Sequence, residues 1–131
     1  MGDWKTPKDV RYTKSDEWVK LDGDEAMAGL TDYAQDQLSD VVFVELPQVG
    51  DSFAQGEAFG VVESVKAASD MYMPVGGEIT AVNGELEDAP EIVNEDAYGK
   101  GWMIRYKPSD PSEMDGLMDA KAYDAYCDER A

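Results

Sequence analysis

Histidine is absent from these 131 residues, and cysteine occurs once, at Cys127. Without histidine there is no Ser-His-Asp or Cys-His nucleophile and no histidine-ligated metal, and one thiolate does not make a zinc site. A lone cysteine also excludes a disulfide within the chain and suits a reducing compartment. Basic residues are scarce: 11 Lys and Arg stand against 29 Asp and Glu, for a net charge of -18. A field of that sign repels phosphate backbones and anionic lipid, which argues against nucleic acid or a membrane surface as partner. The apolar runs are too short to span a bilayer. The opening MGDWKTPKDV lacks the apolar h-region of a secretory signal, so a cytoplasmic protein is expected. Its M-G-x-x-x-[ST] spacing, ending at Thr6, is a pattern short enough to arise by chance. No G-x-x-x-x-G-K-[ST] phosphate loop occurs, and GKGW at Gly99–Trp102 is too short to replace it.

What is present is the composition of a folded chain. Seven Tyr, three Trp and many Val oppose disorder despite the acidic excess, and the length suits a single domain over residues 1–131 with a real core. The acids are scattered along the whole chain, which reads as surface adaptation to a salt-rich cytoplasm, as in a halophile, more than as a docking patch. Screening weakens self-repulsion, so thermal melts should show rising stability from low to molar KCl; a flat or falling melting point would contradict the halophile reading. With neither histidine nor metal to focus a search for an acid–base pair, each carboxylate reads first as a solvated surface group.

The pattern is mostly β. Residues 1–9 form a polar lead-in, in which Trp4 is assigned no place. EWVKLDGDEAMAGL, Glu17 to Leu30, reads as two strands around a turn at Asp22–Glu25. TDYAQDQLSD predicts a short helix with Thr31 as its N-cap and Ala34 and Leu38 on one face. VVFVELP, Val41 to Pro47, is a β-branched strand stopped by proline. From Gly50 to Leu86 short apolar pieces alternate with Gly and Pro, the punctuation of a sandwich or barrel rather than a βαβ sheet. GWMIRYKP supplies a late strand, and core packing is expected for Trp18 and Trp102. Residues 109–131 form a helical extension, with Ser109 or Asp110 as a cap, Pro111 in a first turn, and Tyr123, Tyr126 and Cys127 on one face. On that face Cys127 reads as a small packed residue.

Between Leu21 and Gly99 the chain carries 18 acidic residues and a single basic one, Lys66. Apolar residues approach it in FGVVESV and leave it in AASDMYMPV, so a hairpin with Lys66 at its tip fits, although no Asn-Gly or Gly-Gly marks the turn. Small apolar neighbours, Val65 and Ala67, leave the amine unhindered, and the nearest acids in sequence are Glu63 and Asp70. An enzyme that acylates a lysine needs such a protruding, unshielded amine.

ESVKAASD resembles the lipoylation site of the glycine cleavage system H protein family. The likeness extends through YTKSDEWVK, GLTDYAQDQLSDVVFVELPQVGD, VNEDAYGKGWMIRYKPSDPSE and DAKAYDAYCDE, in the family's order and over nearly all of Tyr12 to Glu129. A biotinyl carrier would have Met on both sides of the lysine, where Val65 and Ala67 stand here. Lipoyl domains of 2-oxoacid dehydrogenases are shorter and lack the TDYAQDQL helix and the C-terminal extension. The resemblance implies a barrel-sandwich hybrid of the lipoyl/biotinyl hammerhead-like kind, mainly β with short helices.

It also implies a non-catalytic, monomeric carrier with lipoic acid joined to Lys66 as N6-lipoyllysine, and with Glu63, Val65 and Ala67 recognised by a lipoate ligase or octanoyltransferase. Its partners would be a pyridoxal-phosphate (PLP) glycine decarboxylase, a tetrahydrofolate-dependent aminomethyltransferase, and dihydrolipoyl dehydrogenase with FAD and NAD. Ser15, Glu17 and Asp70 match the family positions that hold the loaded arm. Asp16 departs from the family, which usually has histidine there and so a near-neutral pH response that aspartate lacks. Two rivals stand beside the carrier: a lipoyl relay that donates lipoate without glycine turnover, and an acidic interaction module without cofactor.

Overall fold

The structure is a computed structural model that describes residues 4–130. The Met1–Gly2 start of the M-G-x-x-x-[ST] pattern and the chain's last residue lie outside the described residues. The strands are β1 (Arg11–Tyr12), β2 (Glu17–Asp22), β3 (Glu25–Leu30), β4 (Val41–Glu45), β5 (Ser52–Phe53), β6 (Ala58–Ser64), β7 (Ala68–Tyr72), β8 (Gly77–Val82) and β9 (Ile104–Pro108). Between them run the short helices α1 (Asp32–Leu38), α2 (Glu85–Asp88) and α3 (Ile92–Glu95), and the chain closes with a 3-10 helix (Pro111–Gly116) and α4 (Ala120–Arg130). The fold is mainly β, as the sequence predicts. None of the described helices is long and apolar enough to cross a membrane.

Two antiparallel sheets form the frame. One has the order β1-β2-β3-β9-β8-β5, the other β4-β6-β7. Val19, Ala28, Leu30, Val44, Val62, Met71, Ile79 and Tyr106 belong to the main core, which draws on both sheets. The strand β2 shows why there is a second core. Successive side chains point to opposite faces, yet Trp18 and Val19 are both buried. Val19 joins the main core, whereas Trp18 joins Val10, Tyr12, Tyr33, Ala120, Tyr123 and Cys127 in a cluster that includes α4. The helix thus covers a face that would otherwise meet water.

Close packing of Trp18 depends on its cross-strand partner, Gly29. A Cβ at residue 29 would lie 2.9 Å from the indole Nε1, which itself donates to the Ala97 carbonyl at 3.0 Å. Glycine is required there by space, not by backbone conformation. Trp102 is half-buried against the same cluster. Trp4 donates to Asp36 at 2.8 Å and meets the Tyr33 ring edge-on, so the lead-in is tied to α1 from Trp4 onward.

Several boundaries sharpen. Thr31 caps α1 by accepting from the Ala34 amide at 3.1 Å. The strand expected to run to Pro47 ends at Glu45. Asp110, not Ser109, caps the 3-10 helix, accepting from the Ser112 amide at 3.1 Å. Tyr123 and Cys127 are buried together on α4 while Tyr126 stays half-buried.

Candidate functional site

Lys66 lies in the three-residue connection Val65–Ala67 between β6 and β7. The turn is built by Ser64 rather than by glycine. Its hydroxyl accepts from the amides of Lys66 and Ala67, each at 3.1 Å, and donates to the Ala67 carbonyl at 3.2 Å. The Ser64 amide donates to that same carbonyl at 2.8 Å. Such a hydroxyl-closed turn leaves the flanking residues free of positive φ, and among the described residues the non-glycine ones with positive φ are Asp16 and Ser39, both elsewhere. One further bond, from the Val65 amide to the Asp40 carbonyl at 3.1 Å, ties the tip to the segment that leads into β4.

The lysine itself is exposed, and among the described residues its ammonium has no ion pair or hydrogen bond. Its neighbours Glu63, Val65 and Ala67 are exposed too, Val65 at 66%. The amine is therefore within reach of an acylating enzyme. Ser64→Ala should leave two tip amides without their acceptor and cost about 1 kcal/mol of local stability. Faster amide exchange at Lys66 and Ala67 and slower acylation would show it; unchanged exchange would mean that Ser64 does not hold the turn.

Beside the hairpin is a recess of about 190 Å³. Leu30, Ala34, Leu38 and Val62 give it apolar walls, and Ser15, Asp16, Gln37, Ser69 and Asp70 give it polar ones. Asp70 follows Lys66 by four positions on β7, a span of at most about 14 Å. Its side chain is exposed, and among the described residues its carboxylate has no ion pair. Two of the three expected arm-binding residues, Ser15 and Asp70, are thus brought to one recess although 55 positions separate them in sequence.

Glu17 is placed differently. It does not line the recess; it is 1% exposed and sits behind Ser15. One carboxylate oxygen accepts from the hydroxyls of Thr13 at 2.6 Å and Ser15 at 2.5 Å, and the other accepts from the Tyr72 amide at 3.2 Å. Burial nevertheless outweighs these donors and pushes its pKa up to about 7. Glu17 joins β2 to β7, and it holds the Ser15 hydroxyl at the wall of the recess.

Asp16, where the resemblance breaks, also lines the recess. Its backbone has φ of 71°, a left-handed conformation that aspartate tolerates better than most side chains. Its carboxylate accepts from the two terminal guanidinium nitrogens of Arg130, at 2.7 and 3.1 Å, and from the Tyr123 hydroxyl at 2.8 Å. Sequence reasoning missed Arg130 altogether, because the pair spans 114 positions and no local pattern announces it.

Among the described residues no group of three or more Cys, Asp or Glu is arranged to hold a metal ion. The arrangement offers an accessible nucleophilic amine and, next to it, a small half-apolar recess with anionic and hydroxyl groups. That combination suits a tether fixed at Lys66 whose far end rests in the recess.

Comparison with known proteins identifies the relatives of the chain. The family model described as glycine cleavage H-protein matches residues 10–130. A glycine cleavage system H protein of Magnetococcus marinus is 58% identical over 120 residues, covering 92% of this chain and 86% of that protein. Its counterpart from Thermus thermophilus is 57% identical over 117 residues, covering 89% of this chain and 91% of that one. The crystal structure of a glycine cleavage system H protein from Mycobacterium marinum superposes with a TM-score of 0.83 at 35% identity, covering 95% of this chain and 98% of that one. Match, identity and superposition run over almost the whole length, and the chain belongs to the glycine cleavage H-protein family.

Proposed function

We propose that this protein is the lipoylated carrier of a glycine cleavage system, a single-domain, non-catalytic, monomeric subunit working in the cytoplasm. The observation that carries the reading is the exposed Lys66 amine, unpaired among the described residues, on a hairpin tip beside the recess. These residues fit lipoic acid. The exposed amine can be acylated, and the apolar walls Leu30, Ala34, Leu38 and Val62 suit the aliphatic part of the arm.

When attached, the lipoyl group supplies a disulfide that accepts the aminomethyl fragment left after glycine loses CO2. The PLP-dependent glycine decarboxylase delivers that fragment, and the aminomethyltransferase moves its carbon to tetrahydrofolate with release of ammonia. Dihydrolipoyl dehydrogenase, with FAD and NAD, would be the partner that returns the arm to its disulfide form. A lipoate ligase or octanoyltransferase that reads Glu63, Val65 and Ala67 installs the arm. Cofactors perform the bond-breaking, while this chain provides attachment, reach and shelter.

Shelter is the part its residues perform. The cargo nitrogen is cationic near neutral pH, and the Asp70 carboxylate and the Ser15 hydroxyl, bonded to Glu17, suit it as partners. The apolar walls keep water from the labile carbon.

Glycine–bicarbonate exchange with the cognate decarboxylase tests the reading. Exchange that depends on the lipoylated chain supports it. A lipoylated chain that gives no exchange overturns it in favour of the relay, and a chain that never accepts lipoate returns it to a plain interaction module.

A further inference from the structure

The recess has one carboxylate that the carrier role does not use. Asp16 is in its wall, next in sequence to Ser15, which also lines the recess, and to Glu17, which holds Ser15 from behind. An unneutralised carboxylate there would add a second fixed anion to Asp70 and hold a cationic cargo more tightly than a shuttle can use. Arg130 occupies that carboxylate from the last turn of α4, through two guanidinium bonds to its two oxygens. The guanidinium is itself fixed, with its carbon 4.3 Å from the Tyr33 ring centroid and 3.9 Å from that of Tyr126. Forked pairing plus stacking on two aromatic faces is an arrangement that lysine does not reproduce. The Tyr123 hydroxyl, also bonded to Thr31, supplies the remaining donor to Asp16.

We propose that Arg130 is a positioning residue that sets the charge of the recess: by pairing with Asp16 it cancels one of the two carboxylates that line it and leaves Asp70 to meet the cationic cargo. The proposal rests on the carrier reading for the identity of that cargo, while the charge-setting itself is a property of the apo recess. Arg130 therefore tunes release, and Asp16 without its partner would be a trap.

Charge and scaffolding roles predict different signs. If the pair sets charge, Arg130→Gln exposes an anion and lengthens the lifetime of the loaded arm, on the order of fivefold for one unit charge near 4 Å in water. Asp16→Asn leaves an unpaired guanidinium beside the recess and shortens that lifetime by a similar factor. The double variant Asp16→Asn/Arg130→Gln returns near the parent. If the pair merely anchors α4, both single variants loosen the recess and both shorten the lifetime.

A second measurement does not need the arm. In the unlipoylated chain, methylammonium chloride followed at the Ser69 and Asp70 amides by 1H–15N NMR should bind in the order Arg130→Gln, parent, Asp16→Asn, from tightest to weakest. Equal affinities, or both variants shifted the same way, overturn the proposal. Failure of Lys66 to accept lipoate would defeat the carrier reading and still leave this order to be measured.

Discussion

Lys66→Arg is expected to abolish glycine–bicarbonate exchange completely while leaving the fold intact. The side chain is exposed and its ammonium is unpaired among the described residues, so the exchange of head groups removes no structural contact. The amide of residue 66 still donates to Ser64, so the turn keeps its closure. A surface substitution of this kind shifts stability by less than about 0.5 kcal/mol. The guanidinium retains the charge but stays protonated at any accessible pH, so it cannot act as the acylated amine. A melting point equal to the parent's together with zero exchange is the expected pair of results. Residual exchange in the variant would move the attachment point elsewhere.

Glu17→Gln should have the largest effect on how stability responds to pH. The Glu17 pKa rises from 4.5 to about 7 through burial, so the folded chain holds a proton that the unfolded chain has released. Between those values the native state binds more protons than the unfolded one, and stability falls as pH rises. Below 4.5 both states are protonated and nothing is lost; above about 7 both are ionised and the full penalty is present. At about 1.4 kcal/mol per pKa unit the parent should lose roughly 3 kcal/mol relative to the glutamine variant across that window.

The amide can satisfy the same partners. Its oxygen can accept from the Tyr72 amide, and its NH2 can donate to the Thr13 and Ser15 hydroxyls, which rotate to suit. Denaturant titrations of both proteins from acid to mildly alkaline pH would show the gap opening; parallel curves would contradict a buried, proton-holding Glu17. In the loaded carrier above about pH 7, where Glu17 is ionised, the same variant should speed loss of ammonia and carbon from the arm, because it removes the anion behind Ser15. An unchanged lifetime would take Glu17 out of the arm-holding set.

Legibility of the sequence followed the range of the interaction concerned. The Thr31 cap, the turn at Asp22–Glu25 and the β-branched run from Val41 each depend on a few adjacent residues, and each is visible in the chain. Lys66 was visible for another reason, its isolation among acids, and the family resemblance then gave that isolation a meaning. Its turn was harder to locate, because Ser64 closes the tip through its hydroxyl and no Asn-Gly or Gly-Gly is needed.

The short helices α2 and α3 were not foreseen; each is a single turn, too short for hydrophobic periodicity to register. The burial of Glu17 was equally hidden. A glutamate in a strand reads as a surface charge until Tyr72, 55 positions away, is known to donate to it. Asp16 shows the same limit more sharply. In sequence it is another acid in an acidic chain, and only the approach of α4 gives it Arg130 and Tyr123.

The carrier account stands on acylation at one lysine, and intact mass spectrometry tests it most directly. The purified chain, incubated with lipoate, ATP and a lipoate ligase, should gain one discrete lipoyl increment, traced by fragmentation to Lys66 and absent from Lys66→Arg. No increment, or an increment that persists in Lys66→Arg, would contradict the account.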